Sequence, residues 1–229
     1  MRLAIIAGLA LTTSLLAGDN DTNRRLGAAT AVFSEVMATP DKAIPQDLLE
    51  KAYCIVIVPD LKTGAFIVGG KYGKGFLLCR SKVTAGWSAP AAVRIEGGSF
   101  GFQIGGSSTD LIMLVMSERG ADKLLQSKFT LGGEASAAAG PVGRTATAQT
   151  DAQMHAEILS WSRSQGLFAG VALEGATLRE DLDDNAELYG EKLENRYIVN
   201  HGRPAPESAV ALMGLLNTYS PREHIASER

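Results

Sequence analysis

Over residues 22–37 apolar side chains return at helical spacing: Leu26, Ala29, Phe33, Val36 and Met37 share one face, with Arg24, Ala28 and Glu35 on the other. A period of 3.6 predicts an amphipathic helix. Pro45 suits the first position of a second, short helix over 45–52. From 54 to 116 the period changes. CIVIV, GAFIVGG, GFLLCR, GWSAPAAVRIEGG, SFGFQIGG and LIMLVM are short apolar runs divided by turn residues, the pattern of closely spaced antiparallel strands. Glycines at 64, 69, 70, 73 and 75, and at 97, 98, 101, 105 and 106, are too many for flat strands. They imply bulges, strong coiling and barrel-like curvature.

Ser117 is placed to cap a middle helix over 118–126. The small-residue stretch that follows, around Gly140-Pro141-Val142-Gly143, reads as a hairpin packed closely on another layer, with low-complexity disorder as the alternative. Strands resume over 156–161 and 167–173. Asp181, Asp183 and Asp184 then crowd the start of a helix that stops at Gly190. A C-terminal helix over 206–217 offers Val210, Leu212, Met213, Leu215 and Leu216 for packing. The expected fold is α+β: a strongly coiled, barrel-like antiparallel β core with N-terminal, middle and C-terminal helices.

The chain has 229 residues, 45% of them hydrophobic, enough for one ordinary domain. A net charge of −3 argues against nucleic acid as a partner. That charge is uneven, +3 over 1–150 and −6 over 151–229, so an anionic contact belongs to the first part. The N-terminus carries Arg2, an apolar run over 3–11 and small residues at Ala17-Gly18, the pattern of a signal peptide over 1–18; a buried helix is the plain alternative. The run is short for a bilayer span of about 20 residues. Position 19 is Asp, which cannot carry the lipid of a lipoprotein cysteine.

Cys54 and Cys79 fall in candidate strands; an exported chain permits a disulfide between them, and buried thiols are the other reading. His155, His201 and His224 are scattered, with no Cys-x-x-Cys, so neither metal nor cofactor is expected. Gly97-Gly98-Ser99-Phe100-Gly101 satisfies G-x-S-x-G and is followed by Asp110 and His155, which keeps a serine hydrolase using Ser99 as a minor alternative. Its surroundings read as glycine-rich strand, whereas a nucleophile elbow turns from strand into helix. A phosphate-binding loop fails at Gly70, which stands where lysine is needed. Asp181-x-Asp183-x-Asn185 begins like a calcium loop but has Ala186 at the glycine position and Lys192 at the glutamate position.

Over 42–82 seven basic residues face three acidic ones. The plain reading is a solvated face; the functional one is contact with anionic lipid. Candidate contacts are Arg24, Arg25, Leu26 and Phe33 of the first helix, with Lys51, Lys62, Lys71 and Lys74.

Four blocks carry a resemblance: KAYCIVIVPDLKTGAFIVGGKYGKG at 51–75, GWSAPAAVRIEGGSFGFQIGGSSTDLIMLVM at 86–116, KFTLGGEASAAAGPVGR at 128–144, and the 157–190 string with its Ser160, Ser162, Arg163, Gly166, Gly170 and Gly175. Their order and content resemble the SYLF-domain family, described in eukaryotic endocytic and actin-patch proteins and found alone in bacteria behind export signals. The resemblance implies a non-enzymatic phospholipid-binding domain over 19–217, followed by a tail over 218–229. It also implies a basic, amphipathic N-terminal region as the lipid contact. Actin and phosphoinositides, ligands of eukaryotic members, are not expected partners of an exported chain. The expected place is the periplasm or the membrane periphery of a bacterial envelope, and the alternative role is an envelope structural or protein-interaction module. The glycines of 157–190 are expected to serve close backbone packing, and its serines and Arg163 hydrogen bonds in the core or at its rim.

Overall fold

The computed structural model describes residues 20–39, 43–65, 69–99, 105–143, 155–164, 166–171, 173 and 175–221. The expected signal peptide, the second arm of the expected hairpin at 144–150 and the end of the expected tail at 222–229 lie outside the described residues.

Helix α1 (Asp21–Ala38) starts where the Asn20 side chain accepts the Asn23 amide at 2.8 Å. The short α2 (Gln46–Lys51) follows Pro45. Four long strands come next: β1 (Cys54–Ala65), β2 (Gly69–Cys79), β3 (Ala91–Ser99) and β4 (Gly105–Val115). Ser117 caps α3 (Glu118–Leu124), accepting the Gly120 amide at 2.9 Å. Short strands follow: β5 (Lys128–Thr130), β6 (Ala137–Ala139), β7 (Ile158–Ser164), β8 (Leu167–Gly170) and β9 (Thr177–Glu180). Three helices close the described chain: α4 (Leu182–Tyr189), α5 (Asn195–Asn200) and, after one 3-10 turn, α6 (Val210–Tyr219).

The nine strands make one sheet in the order β5-β9-β3-β2-β1-β4-β7-β6, with β8 beside the second half of β7. It curls into a half-barrel. All pairings are antiparallel except β6 with β7. In the described part of the small-residue stretch β6 pairs in parallel with a strand almost 20 residues later, while β5 lies at the other end of the sheet. Only residues 131–136 link the two ends.

The central strands are apolar because both their faces are covered. Ile55, Ile57, Phe76, Leu78, Ile112 and Leu114 pack with α1, α2 and α6. The alternate residues Cys54, Val56, Val58, Leu77, Met113 and Val115 pack with α3 and α5 on the other side. Cys54 and Cys79 stand opposite each other in register and form a disulfide on that second face.

From α1, Leu26, Val32, Phe33, Val36 and Met37 are at most 3% exposed. At roughly 1.5–3 kcal/mol each, their burial is worth about 10 kcal/mol, comparable with the entire stability of a domain of this size. Helix α1 is core. The expectation that Leu26 and Phe33 meet lipid is corrected accordingly: both are fully buried against the sheet. Val210 differs in the opposite sense, being 62% exposed, because the buried stripe of α6 runs through Leu212 and Leu216.

Midway along β1 the register slips against both neighbours, between Ile57 and Lys62 and between Val58 and Leu61. Asp60 there adopts φ 56, a left-handed conformation that Asp tolerates better than most residues. The bulge crosses β2 so closely that a Cβ on Gly75 would lie 2.1 Å from the Ile57 carbonyl oxygen. Beyond it Gly98, Gly70, Gly64 and Gly106 stand in a row across four strands. Past the bulge the paired strands carry polar residues, Lys62 opposite Tyr72 and Ser108, and Thr63 opposite Lys71 and Ser107.

Candidate functional site

A cleft of about 600 Å³ opens between the first turns of α1 and the bulged part of β1 and β2. Asp21, Arg24, Arg25 and Ala28 form one wall, and Pro59, Asp60, Lys62, Tyr72, Gly73 and Lys74 the other. Strand alternation explains the second wall. Lys62 stands opposite Tyr72, and Tyr72, Lys74, Phe76 and Leu78 all point to the α1 side of β2.

The four cations of the cleft fall into two kinds. Arg25 and Lys74 are held from behind the cleft lining by Asp181 and Asp184, which are only 2% and 6% exposed. Lys74 Nζ lies 2.9 Å from Asp181 Oδ2 and 2.8 Å from Asp184 Oδ1, and Arg25 donates to the other oxygen of Asp184. Burial works against the Lys74 ammonium, but hydrogen bonds and charge from Asp184 and Asp181 outweigh it and raise its pKa. Arg24 and Lys62 form the rim. They are 62% and 73% exposed, and their partners Asp21 and Asp60 are their own near neighbours in sequence. The Lys62 pair is loose at 3.7 Å, and Asp60 also accepts from the Ser108 hydroxyl. Such exposed pairs contribute about 0–1 kcal/mol.

The remaining basic candidates are elsewhere. Lys51 pairs with Asp47 inside α2 at 3.8 Å, near the opposite end of β1 and roughly 25 Å of strand from Lys62. Lys71 faces the other side of the sheet. Arg80, counted in the basic stretch, is a structural staple: its guanidinium donates to Ala52 O at 3.2 Å, Leu49 O at 3.1 Å and Ser220 O at 2.8 Å while stacking over Trp87. It closes the C-terminal ends of α2 and α6.

Arg163 of the 157–190 string also has a structural task. It donates to Asp110 at 2.8 Å and pairs with Glu35, tying α1 to β4, while Asp110 accepts the Asp60 amide at 3.1 Å and so steadies the bulge. Asp110 is therefore committed to Arg163 and to the Asp60 amide. Ser99 itself closes β3, and the next described element is strand β4 rather than the helix of a nucleophile elbow. In the same string Gly170 does serve close packing, since a Cβ would meet the Gly140 oxygen at 2.2 Å. Gly166 and Gly175 instead supply positive φ at turns.

Sequence reasoning missed Tyr72, 49% exposed at the rim, and read Asp181 and Asp184 as helix-start acids without seeing that they hold Lys74 and Arg25. Tyr72 could have been found as the one aromatic in GGKYGKG; the pairing of the carboxylates had no local signal, because their partners lie over 100 residues away.

These features define an α+β domain: a helix-clad, curled half-barrel with a cleft at the start of its first helix whose cations are each paired with a carboxylate, in exposed pairs at the rim and tight ones below it. Residues 96–219 match the family described as Ysc84, Las17-binding protein actin regulator, and the chain belongs to this Ysc84, or SYLF-domain, family. Human SH3 domain-containing YSC84-like protein 1 is 31% identical over 200 residues, covering 86% of this chain and 58% of that protein. Protein YSC84 of Saccharomyces cerevisiae is 33% identical over 181 residues, 78% of this chain and 38% of that one. LAS seventeen-binding protein 3 of the same yeast is 35% identical over 204 residues, 84% and 44%. The chain thus spans about half the length of these relatives. None of the three is named as an enzyme.

Proposed function

We propose that this domain attaches peripherally to anionic phospholipid surfaces, without catalysis, at a bacterial cell envelope. The observation that carries the reading is the cleft, which brings Arg24, Arg25, Lys62 and Lys74 together from two distant parts of the chain and leaves Arg24 and Lys62 exposed at its rim. A basic side chain near an anionic surface contributes about 1 kcal/mol, so a few suffice for reversible attachment. No helix among the described residues is long and apolar enough to cross a membrane, in keeping with a peripheral mode. The Cys54–Cys79 disulfide suits the oxidising side of an envelope.

Co-sedimentation with phosphatidylglycerol-containing and pure phosphatidylcholine vesicles, at low and high salt, tests the reading. Binding is expected to the anionic vesicles and to weaken with salt; absence of binding to either would remove lipid from the function. The alternative is a protein-interaction module, which the Las17-binding description of the matched family favours. Under that reading vesicles are ignored and an envelope protein is retained instead.

A further inference from the structure

We infer that the lipid phosphate is received by the folded cleft itself, between Arg24 and Lys62, while α1 stays docked on the sheet. The inference rests on the phospholipid reading above and specifies how the surface is met. An amphipathic helix can reach a membrane by inserting its apolar face, but here that face is the core: Leu26, Phe33 and Met37 are at most 2% exposed. Lifting α1 would cost about as much as unfolding the domain. The helix is also fastened at its outer edge by Arg25 to Asp184, Thr22 to Glu187 and Ser208 to Asn23.

The two kinds of cation then divide the work. Arg25 and Lys74 cannot turn outward without leaving the Asp181 and Asp184 carboxylates buried and unpaired, so they hold the wall in place. Arg24 and Lys62 can exchange Asp21 and Asp60 for a phosphate at little loss, since both pairs are solvent-exposed and Asp60 keeps its Ser108 hydrogen bond. The positive end of α1, an 18-residue helix, adds to the attraction from the same side. Tyr72, half exposed beside Lys62, has the apolar ring and polar tip that favour the interface between headgroups and acyl chains. The ligand is a phosphate carried by a lipid headgroup.

The test compares two variants that lose the same charge. Against phosphatidylglycerol vesicles, Arg24→Gln/Lys62→Gln is expected to bind about 30-fold more weakly, and Lys51→Gln/Lys71→Gln less than about 3-fold more weakly. Equal losses would mean diffuse attraction and overturn the site while leaving the lipid reading intact; failure of the unaltered protein to bind vesicles would overturn both. Hydrogen exchange on the vesicle-bound protein is expected to leave α1 amides as protected as in solution, and their deprotection would show helix insertion and overturn the inference. Soluble glycerol phosphate is expected to compete at millimolar concentration. If inorganic phosphate binds the protein in a way that Arg24→Gln/Lys62→Gln abolishes, and vesicles do not bind, the cleft is a free-phosphate site and the headgroup assignment fails.

Discussion

The inner and outer faces of α1 make opposite use of one short stretch of chain. On the inner face Leu26 and Phe33 lie at zero exposure between the sheet and α6, where every methylene is counted in stability. On the outer face Arg24 is solvated and, among the described residues, pairs with Asp21 one turn away, and little of the fold depends on it. Arg25 stands on the border, with its guanidinium on a carboxylate supplied from 159 residues away. Amphipathicity alone does not say which partner an apolar face will meet. That depends on what else in the chain can cover it, and here the sheet does.

The largest expected effect falls on the inner face. Phe33→Ala should destabilise the domain by about 3–5 kcal/mol in urea unfolding; a loss below about 1 kcal/mol would break the contrast by showing that α1 is only loosely applied. At the border, Asp184→Asn should remove about 2–3 kcal/mol, less than a fully buried pair, because Arg25 and Lys74 remain about a fifth to a quarter exposed.

The border also carries a pH signature. The folded pKa of Lys74 is raised above 10.5, so its contribution is complete below that pH and is lost as pH climbs through the folded value. Lys74→Met should flatten this alkaline decline in urea midpoints taken between about pH 9 and 12. On the outer face Lys62→Gln should change stability by less than about 0.5 kcal/mol and weaken vesicle binding about fivefold. Smallest of all, Lys51→Gln should leave stability within about 0.5 kcal/mol and binding nearly unchanged; a fivefold loss there would dissolve the distinction between cleft and general surface.

Much of the architecture was legible along the chain. The 3.6-residue period of 22–37, the Ser117 cap and the Gly190 stop are local, so they survive in one dimension. The apolar runs of β1, β2 and β4 announced closely spaced antiparallel strands, while the covering of both their faces by helices came from the tertiary structure. Strand β9 and helix α5, of four and six residues, were too short to leave a period. The parallel pairing of β6 with β7 was hidden because small residues around a Gly-Pro turn look the same in a hairpin. Of the basic candidates, chain order could not separate Lys62 from Lys71, yet one side of the sheet carries the cleft and the other does not.

The sequence by itself determined that α1 is amphipathic, that the strands around 54–116 are apolar and glycine-punctuated, and that cations collect in the first half of the chain. Those are properties of neighbours in sequence, governed by helical and strand periods. Only the tertiary structure decided that Leu26 and Phe33 are core, that Arg80 and Arg163 are staples, and that Arg24 faces Lys62 and Tyr72 across one cleft. Burial and ion pairing are settled by which distant groups arrive at a site, and Asp181 and Asp184, arriving from α4, set which cations are locked and which face water.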